Sequence, residues 1–242
     1  MWSVWPETID MYLGQGLAMI QRGPTPAVVL QADPSMPIDQ LLAQARTLLP
    51  RRCRLRIFLS GALCPAHAIS VPDGVHKSTE ALAIAQATAA QSMGISSNQL
   101  INKIPYPFAP ISAAMLKTVA DALQAWSVKE RIKIRSIRPL WSVATECKAA
   151  SSSLVRGLIL REPDAITLLA YCPSEKWQAT SIPTSENLSF TEAACRRWLI
   201  GANLNTAEVY ELSFIVSSVT NRSSLKLTHA FPDCWSTHWS AS

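Results

Sequence analysis

The chain has 242 residues and a formal net charge of +5, with 48% hydrophobic and 16% charged residues. This composition is typical of a globular protein and excludes an intrinsically disordered chain. A chain of this length can bury one large core or two modest ones. The positive charge is too diffuse to predict binding to nucleic acid.

The sequence also bears on the cellular compartment. No apolar run reaches the ~18 residues that a membrane-spanning helix needs. The first ten residues, MWSVWPETID, contain neither the basic nor the apolar region of a secretory signal. The six cysteines have no paired spacing, which is typical of reduced, buried thiols. We therefore expect a cytoplasmic protein, which can still be peripheral at the inner membrane.

The chain opens with a strand, a glycine turn and a second strand over residues 9–22, IDMYLGQGLAMIQR. Glycines at the bend accept a positive φ without a clash at Cβ, which suits a tight hairpin. Residues 27–31 (AVVLQ) predict a third strand of the same meander. A helix from Ile38 to about Leu49 and an alternating strand over 54–60 complete a β-β-β-α-β order.

The first half continues with further elements. They are a strand over 68–71, a helix over 79–93, a helix over 112–126, a strand over 132–139 and a helix over 140–150. Ser78 and Gly94 are predicted to cap the first of these helices. The prolines of the segment IPYPFAPIS exclude a helix before residue 112.

The second half repeats the order of the first. Its predicted elements are strands over 154–160, 165–171 and 176–182, a helix over 189–203 capped by Ser189, and a strand over 209–216. The chain becomes polar after Ser217, and LKLTH predicts a last strand. We therefore predict a first subdomain over 1–150, a shorter second subdomain over 151–217 and a polar tail over 218–242.

Two copies of β-β-β-α-β, with extra α and β elements in the first, resemble the duplicated α/β fold of the actin-like (ribonuclease-H-like) superfamily. Within it, the chain length, the short opening and the hairpin YLGQGLAMI resemble two families. These are the pilus-assembly protein PilM and the cytoplasmic domain of the type II secretion protein GspL. The resemblance implies a cytoplasmic platform component beside an inner-membrane complex.

The resemblance also implies what each hairpin does in active members, where its turn carries an aspartate-x-glycine element. The glycine lets the backbone approach phosphate, and the carboxylate handles Mg²⁺ or the attacking water. When Gly14 is aligned with that glycine, Tyr12 stands where the carboxylate is expected. Asp10 lies two residues earlier on the same strand face. Tyr12, Gly14 and Gly16 therefore predict a degenerate phosphate hairpin.

The second hairpin turns through Arg161, Glu162, Pro163 and Asp164 and has no glycine there. Arginine and proline suit neither a close approach of phosphate nor free backbone N–H donors. Only two of the eight glycines follow residue 150, so no glycine-rich adenosine loop is visible. We therefore predict no cofactor and no ATPase activity.

Two further patterns are candidates for reactive sites. Cys64, His67, Cys234 and His238 could supply four zinc ligands, but Cys64-x2-His67 is a weak half-motif. A buried thiol and a surface histidine are the favoured interpretation, and no metal is predicted. Ser60 follows a strand without a G-x-S-x-G elbow, so we interpret it as a turn serine and predict no catalytic residue.

Two basic clusters and the terminal tryptophans are candidate contact surfaces. One cluster is Arg51, Arg52, Arg54 and Arg56, and the other is Lys129, Arg131, Lys133, Arg135 and Arg138. Strand alternation predicts that four residues of the second cluster share one face. A solvated face is the favoured interpretation, and contact with anionic lipid or an acidic partner is the alternative. The tryptophans either cover a sheet edge or dock a partner. The candidate partner-binding residues are Trp2, Trp5, Arg131, Lys133, Arg135, Trp235 and Trp239.

The leading hypothesis is a non-catalytic cytoplasmic scaffold of a bacterial type IV pilus or type II secretion assembly. It would bind inner-membrane platform proteins through a groove between subdomains or an exposed sheet edge, and no nucleic acid. The alternative is a nucleotide-binding ATPase or phosphotransferase of the actin-like superfamily, with Asp10, Glu162 and Asp164 as its acids. A third possibility is an unrelated α/β interaction domain.

Overall fold

The structure is a computed structural model. It describes residues 7–23, 25, 27–70, 72–103, 111–145, 156–171, 177–184, 188–204, 208–214, 216–217 and 224–225. No helix in these ranges is long and apolar enough to cross a membrane.

The strands and the helices of the described chain are numbered separately, each in chain order. The strands are β1 (Glu7–Gly14), β2 (Leu17–Gln21), β3 (Val28–Gln31), β4 (Cys53–Leu59), β5 (Ala66–Ala68), β6 (Leu100–Lys103), β7 (Ile111–Leu116), β8 (Lys133–Pro139), β9 (Gly157–Arg161), β10 (Ala165–Tyr171), β11 (Trp177–Pro183), β12 (Val209–Ser213), β13 (Val216–Ser217) and β14 (Ser224–Leu225). The helices are α1 (Ile38–Arg46), α2 (Ser78–Met93), α3 (Lys117–Glu130), α4 (Leu140–Thr145) and α5 (Leu188–Gly201).

The first sheet has the strand order β3-β2-β1-β4-β8. Its first three strands form the predicted antiparallel meander, while β4 runs parallel to β1 and β8 parallel to β4. Alternation along β1 places Ile9, Met11 and Leu13 in the core, where each is fully buried. The same core contains the apolar side of α1, from Leu41 to Ala45.

The second sheet repeats this plan with the order β11-β10-β9-β12. Strand β9 pairs with β10 antiparallel and with β12 parallel, as β1 does with β2 and β4. Helix α5 lies between β11 and β12 in the chain, so the predicted β-β-β-α-β order is confirmed in both halves. In the part of the chain that the structure describes, no strand takes the place of β8 beside β12. The described sheet of the second half therefore has four strands, and the one of the first half has five.

A third sheet, β5-β7-β6, is inserted between β4 and α3 and packs on α2. Here the predictions were partly wrong. The helix predicted over 112–126 is strand β7 at its start, and α3 begins only at Lys117. The error arose because Met115 and Leu116 share a helical spacing with the buried Val119 and Leu123. In the structure, the strand Ile111–Leu116 packs with one face in the main core and with the other against α2. Strand β6 was not predicted.

Several boundaries also differ. Strand β5 ends at Ala68, where a strand was predicted to begin, and residue 71 lies outside the described chain. Helix α2 has Lys77 as its N-cap, so Ser78 is its first residue, while Gly94 is the expected left-handed C-cap with φ 66°. Ser189 lies inside α5 instead of capping it. Helix α1 ends at Arg46, three residues before the predicted end.

The second basic cluster does not lie on one strand face. Lys129 belongs to α3, which extends four residues beyond its predicted end, and Arg131 is the left-handed C-cap of that helix. Only Lys133 and Arg135 are exposed on β8, and Arg138 is buried there.

The predicted boundary at residues 150 and 151 falls between α4 and β9, outside the described ranges, and stays a prediction. The tail over 218–242 lies outside them as well, except for β14. One hydrophobic core joins both halves, because Leu158, Leu160 and Phe214 cluster with Leu13 and Leu59.

Candidate functional site

The turn between β1 and β2 meets the turn between β9 and β10 where the two halves pack together. The backbone N–H of Gln15 donates to Oδ2 of Asp164 at 2.7 Å. The hydroxyl of Tyr12 donates to Oδ1 of the same carboxylate at 2.6 Å. The carboxylate of the second hairpin is therefore held by a backbone amide and a phenol of the first.

A second carboxylate of the same turn reaches the loop after β4. Glu162 is 5% exposed, and both of its carboxylate oxygens accept the backbone N–H of Gly61, at 3.0 and 3.2 Å. The hydroxyl of Thr167 donates to Oε2 at 3.3 Å, and the Tyr12 hydroxyl lies 3.5 Å from Oε1. This buried carboxylate thus has donors from β1, β10 and the loop after β4.

Glycine is required at both places where a carboxylate approaches the backbone. A Cβ on Gly14 would lie 2.6 Å from Oδ2 of Asp164. A Cβ on Gly61 would lie 2.3 Å from Oγ1 of Thr167 and 3.0 Å from Oε2 of Glu162. The structural role of Gly14 is thus close approach, whereas Gly16 has the positive φ, 67°, that the turn needs.

Burial and mutual repulsion shift the ionisation of this cluster. Burial, reinforced by the charge of Asp164, raises the pKa of Glu162 well above its ordinary value. Burial, followed by the charges of Glu162 and Asp164, raises the pKa of Tyr12 as well. The phenol therefore remains a protonated donor between two carboxyl groups.

Thr167 and Ser181 extend the network toward the third sheet. Their hydroxyls lie 2.9 Å apart, and Oγ of Ser181 accepts the backbone N–H of Ala66 at 3.1 Å. Sequence reasoning missed Gly61, Thr167 and Ser181. The only signal was the position of Gly61 directly after a strand.

Ser60 is fully buried in the loop after β4, where its N–H donates to Leu13 O at 2.9 Å. Its hydroxyl oxygen accepts the N–H of Leu63 at 3.3 Å. Asp10 lies apart from the carboxylate cluster and pairs with Arg56 through bonds of 2.6 and 2.7 Å. Of the three acids in the enzyme alternative, Glu162 and Asp164 therefore lie together at Tyr12. Asp10 instead forms an ion pair with Arg56 on the first sheet.

The remaining candidate residues lie elsewhere. Burial raises the pKa of the Cys64 thiol to about 12, with a smaller contribution from Glu162. His67 is buried rather than on the surface as expected, and burial lowers its pKa. Among the described residues, no group of three or more His, Cys, Asp or Glu side chains could hold a metal ion. The zinc candidates Cys234 and His238 lie outside the described chain, as do Trp2, Trp5, Trp235 and Trp239.

A scan of the sequence against models of protein families gives no match, and a search of curated proteins gives none. Solved structures do match. The cytoplasmic domain of EpsL, an inner membrane component of the type II secretion system of Vibrio cholerae, has a TM-score of 0.54 and 9% identity, and the match covers 90% of this chain and 87% of that one.

Two further structures show the same similarity. A Bacteroides thetaiotaomicron protein with an actin-like ATPase fold and unknown function has a TM-score of 0.56 and 11% identity, over 89% of this chain and 83% of that one. The PilM-PilN type IV pilus biogenesis complex has a TM-score of 0.53 and 13% identity, over 81% of this chain and 68% of the matched chain. The chain therefore has the actin-like fold, and the predicted resemblance to PilM and to the cytoplasmic domain of GspL is confirmed at the level of the fold.

Proposed function

We propose that this protein is a non-catalytic cytoplasmic scaffold of a bacterial type IV pilus or type II secretion assembly, acting through protein–protein contacts at the inner-membrane surface. The fold supports this proposal, because it is shared with a domain of an inner membrane component of a type II secretion system and with a type IV pilus biogenesis complex. We further propose that residues 1–150 and 151–217 are its two subdomains.

The observation that carries the non-catalytic part is the contact between the two hairpin turns. In active members of the superfamily, phosphate is expected to lie against these turns. Here the amide of Gln15 is taken by Asp164, and the position expected to hold a catalytic acid is a tyrosine. Asp164 lies so close to Gly14 that even a Cβ added to this glycine would be 2.6 Å from Oδ2. A phosphate group therefore has no room between Asp164 and the backbone of Gly14.

Calorimetric titration of the wild-type chain with Mg-ATP tests this part. We expect no binding heat at millimolar nucleotide, because the chain's own carboxylates fill the position. Micromolar binding would overturn the non-catalytic interpretation and favour the ATPase or phosphotransferase alternative, with Glu162 and Asp164 among its acids.

We place the partner or membrane contact on the basic edge of the first sheet. Strand β8 is an edge strand of the described sheet, and Lys133 and Arg135 on it are exposed, as is the adjacent Arg131. A basic edge suits an acidic partner or an anionic membrane surface. The terminal tryptophans stay predictions.

Copurification from cells of the source organism tests the partner. We expect inner-membrane platform proteins of a pilus or secretion assembly to copurify with the wild type and to be lost from a K133E/R135E variant. The double reversal R196E/R197E, at two exposed arginines on α5 in the second half, is the matched control. Recovery of only ribosomal or metabolic proteins would contradict the scaffold proposal.

A further inference from the structure

We propose that the backbone amide of Gln15 and the hydroxyl of Tyr12 form an oxyanion site, and that the carboxylate of Asp164 occupies it as a ligand built into the chain. The second hairpin thus supplies in cis the anion that holds the two halves together. This proposal deepens the proposed function, because it concerns the same turns, but it requires no partner.

Two donors of the first half bond one carboxylate of the second hairpin. The Gln15 amide points at Asp164, and the Gly61 amide is shared by both oxygens of Glu162. The single Tyr12 hydroxyl oxygen lies 2.6 Å from the first carboxylate and 3.5 Å from the second. Each oxygen of Asp164 therefore has its own donor from the first half, at 2.6 and 2.7 Å, whereas Glu162 has a separate donor in the Gly61 amide.

The donors are neutral. Among the described contacts of the two carboxylates, the hydrogen-bond donors are the amides of Gln15 and Gly61 and the hydroxyls of Tyr12 and Thr167. Backbone amides and hydroxyls can bind an anion without a cation. The site would thus bind an oxyanion through hydrogen bonds and not through an ion pair.

The first half holds these donors in place without help from the second hairpin. Gly14 pairs with Leu17 in the β1–β2 register, and Gly16 O accepts the N–H of Ala32 at 2.7 Å. After β4, the N–H of Ser60 donates to Leu13 O at 2.9 Å, which fixes the loop beside Gly61. Removing a carboxylate should therefore leave an empty site with its donors still in place.

Chemical rescue of Asp164→Ala tests the proposal. We expect its Tm to fall by about 5 °C, because a charged acceptor is lost from two donors. Sodium formate at about 100 mM, as the probe oxyanion, should then raise the Tm of the variant by about 3 °C in a saturable way. Sodium chloride of equal ionic strength should not, and the wild type should respond alike to both salts.

The matched control is Asp33→Ala, which removes an exposed carboxylate that bonds Ser35 within its own turn. Its Tm should not respond to formate beyond chloride. If D164A purifies unfolded, the yield of refolded protein in formate against chloride is the readout. Equal effects of formate and chloride on D164A, in Tm or in refolding yield, would overturn the proposal.

A coupling measurement gives an independent check. Gly14→Ala should lower the Tm of the wild type strongly, since its Cβ would lie 2.6 Å from Oδ2 of Asp164, but should lower that of D164A much less. Equal losses in both backgrounds would contradict the built-in ligand. Either failure leaves the copurification result untouched, so failure of this proposal and failure of the scaffold proposal are distinguishable.

Discussion

The hydroxyl of Tyr12 donates a 2.6 Å hydrogen bond to Oδ1 of Asp164, which lies 152 residues later in the chain. The Tyr12 ring packs on Phe214 with centroids 4.7 Å apart, so the phenol is held from the second half on two sides. Tyr12, at the position where a carboxylate was expected, thus contacts a carboxylate of the other hairpin.

Tyr12→Phe tests the strength of this contact. The variant keeps the ring on Phe214 but leaves Asp164 with one donor fewer, so we expect the free energy of unfolding to fall by about 1–2 kcal/mol. Urea denaturation measures the change. Tyr210→Phe, at a half-buried tyrosine on β12, is the matched control and should change stability by less than about 0.5 kcal/mol. Equal losses in the two variants would refute the special role of the Tyr12 hydroxyl.

Asp10→Asn tests the ion pair on the first sheet. Both oxygens of Asp10 accept from the Arg56 guanidinium, and the two side chains are 24% and 25% exposed. We expect a loss of about 1 kcal/mol in the free energy of unfolding, which falls with added salt. Glu7→Gln breaks the more exposed pair with Arg22 and should cost less. A larger loss for Glu7→Gln would be inconsistent with this ranking.

Glu162→Gln tests the buried carboxyl through pH. The folded-state pKa of Glu162 lies well above its ordinary value of 4.5, so its stability contribution is full below pH 4.5 and is lost as the pH rises through the folded pKa. Glutamine keeps an oxygen for the Gly61 amide but does not ionise. We therefore expect the stability of E162Q relative to the wild type to rise between pH 4 and pH 8 in urea titrations. Parallel pH profiles would argue against a raised pKa.

Gly16→Ala and Gly94→Ala separate backbone strain from crowding. Both glycines have φ near 67°, which costs an alanine about 1–2 kcal/mol. A Cβ on Gly94 meets nothing within 4 Å, whereas one on Gly16 lies 2.8 Å from Asp33 O and from Cα of Pro34. We expect thermal unfolding to show a loss of about 1 kcal/mol for G94A and at least twice that for G16A. Similar losses would mean that the turn relaxes freely.

Most strands of the two larger sheets could be predicted from the sequence. Alternation in 9–13 and 55–59 predicts strands with one buried face, and the structure has them as β1 and β4. The sequence was misleading at β7, because a strand buried on both faces has no alternation and Met115 and Leu116 match the helix that follows. The inserted sheet β5-β7-β6 was therefore missed as a unit.

By itself, the sequence determined the duplicated strand order and the tyrosine at the position of the expected acid, because both depend on local spacing along the chain. Only the tertiary structure decided that Asp164 takes the Gln15 amide and that Glu162 takes the Gly61 amide. These contacts span 149 and 101 residues, and they exist because both sheets pack into one core and bring the two turns together. Local sequence periodicity carries no information about contacts between two loops that lie so far apart in the chain.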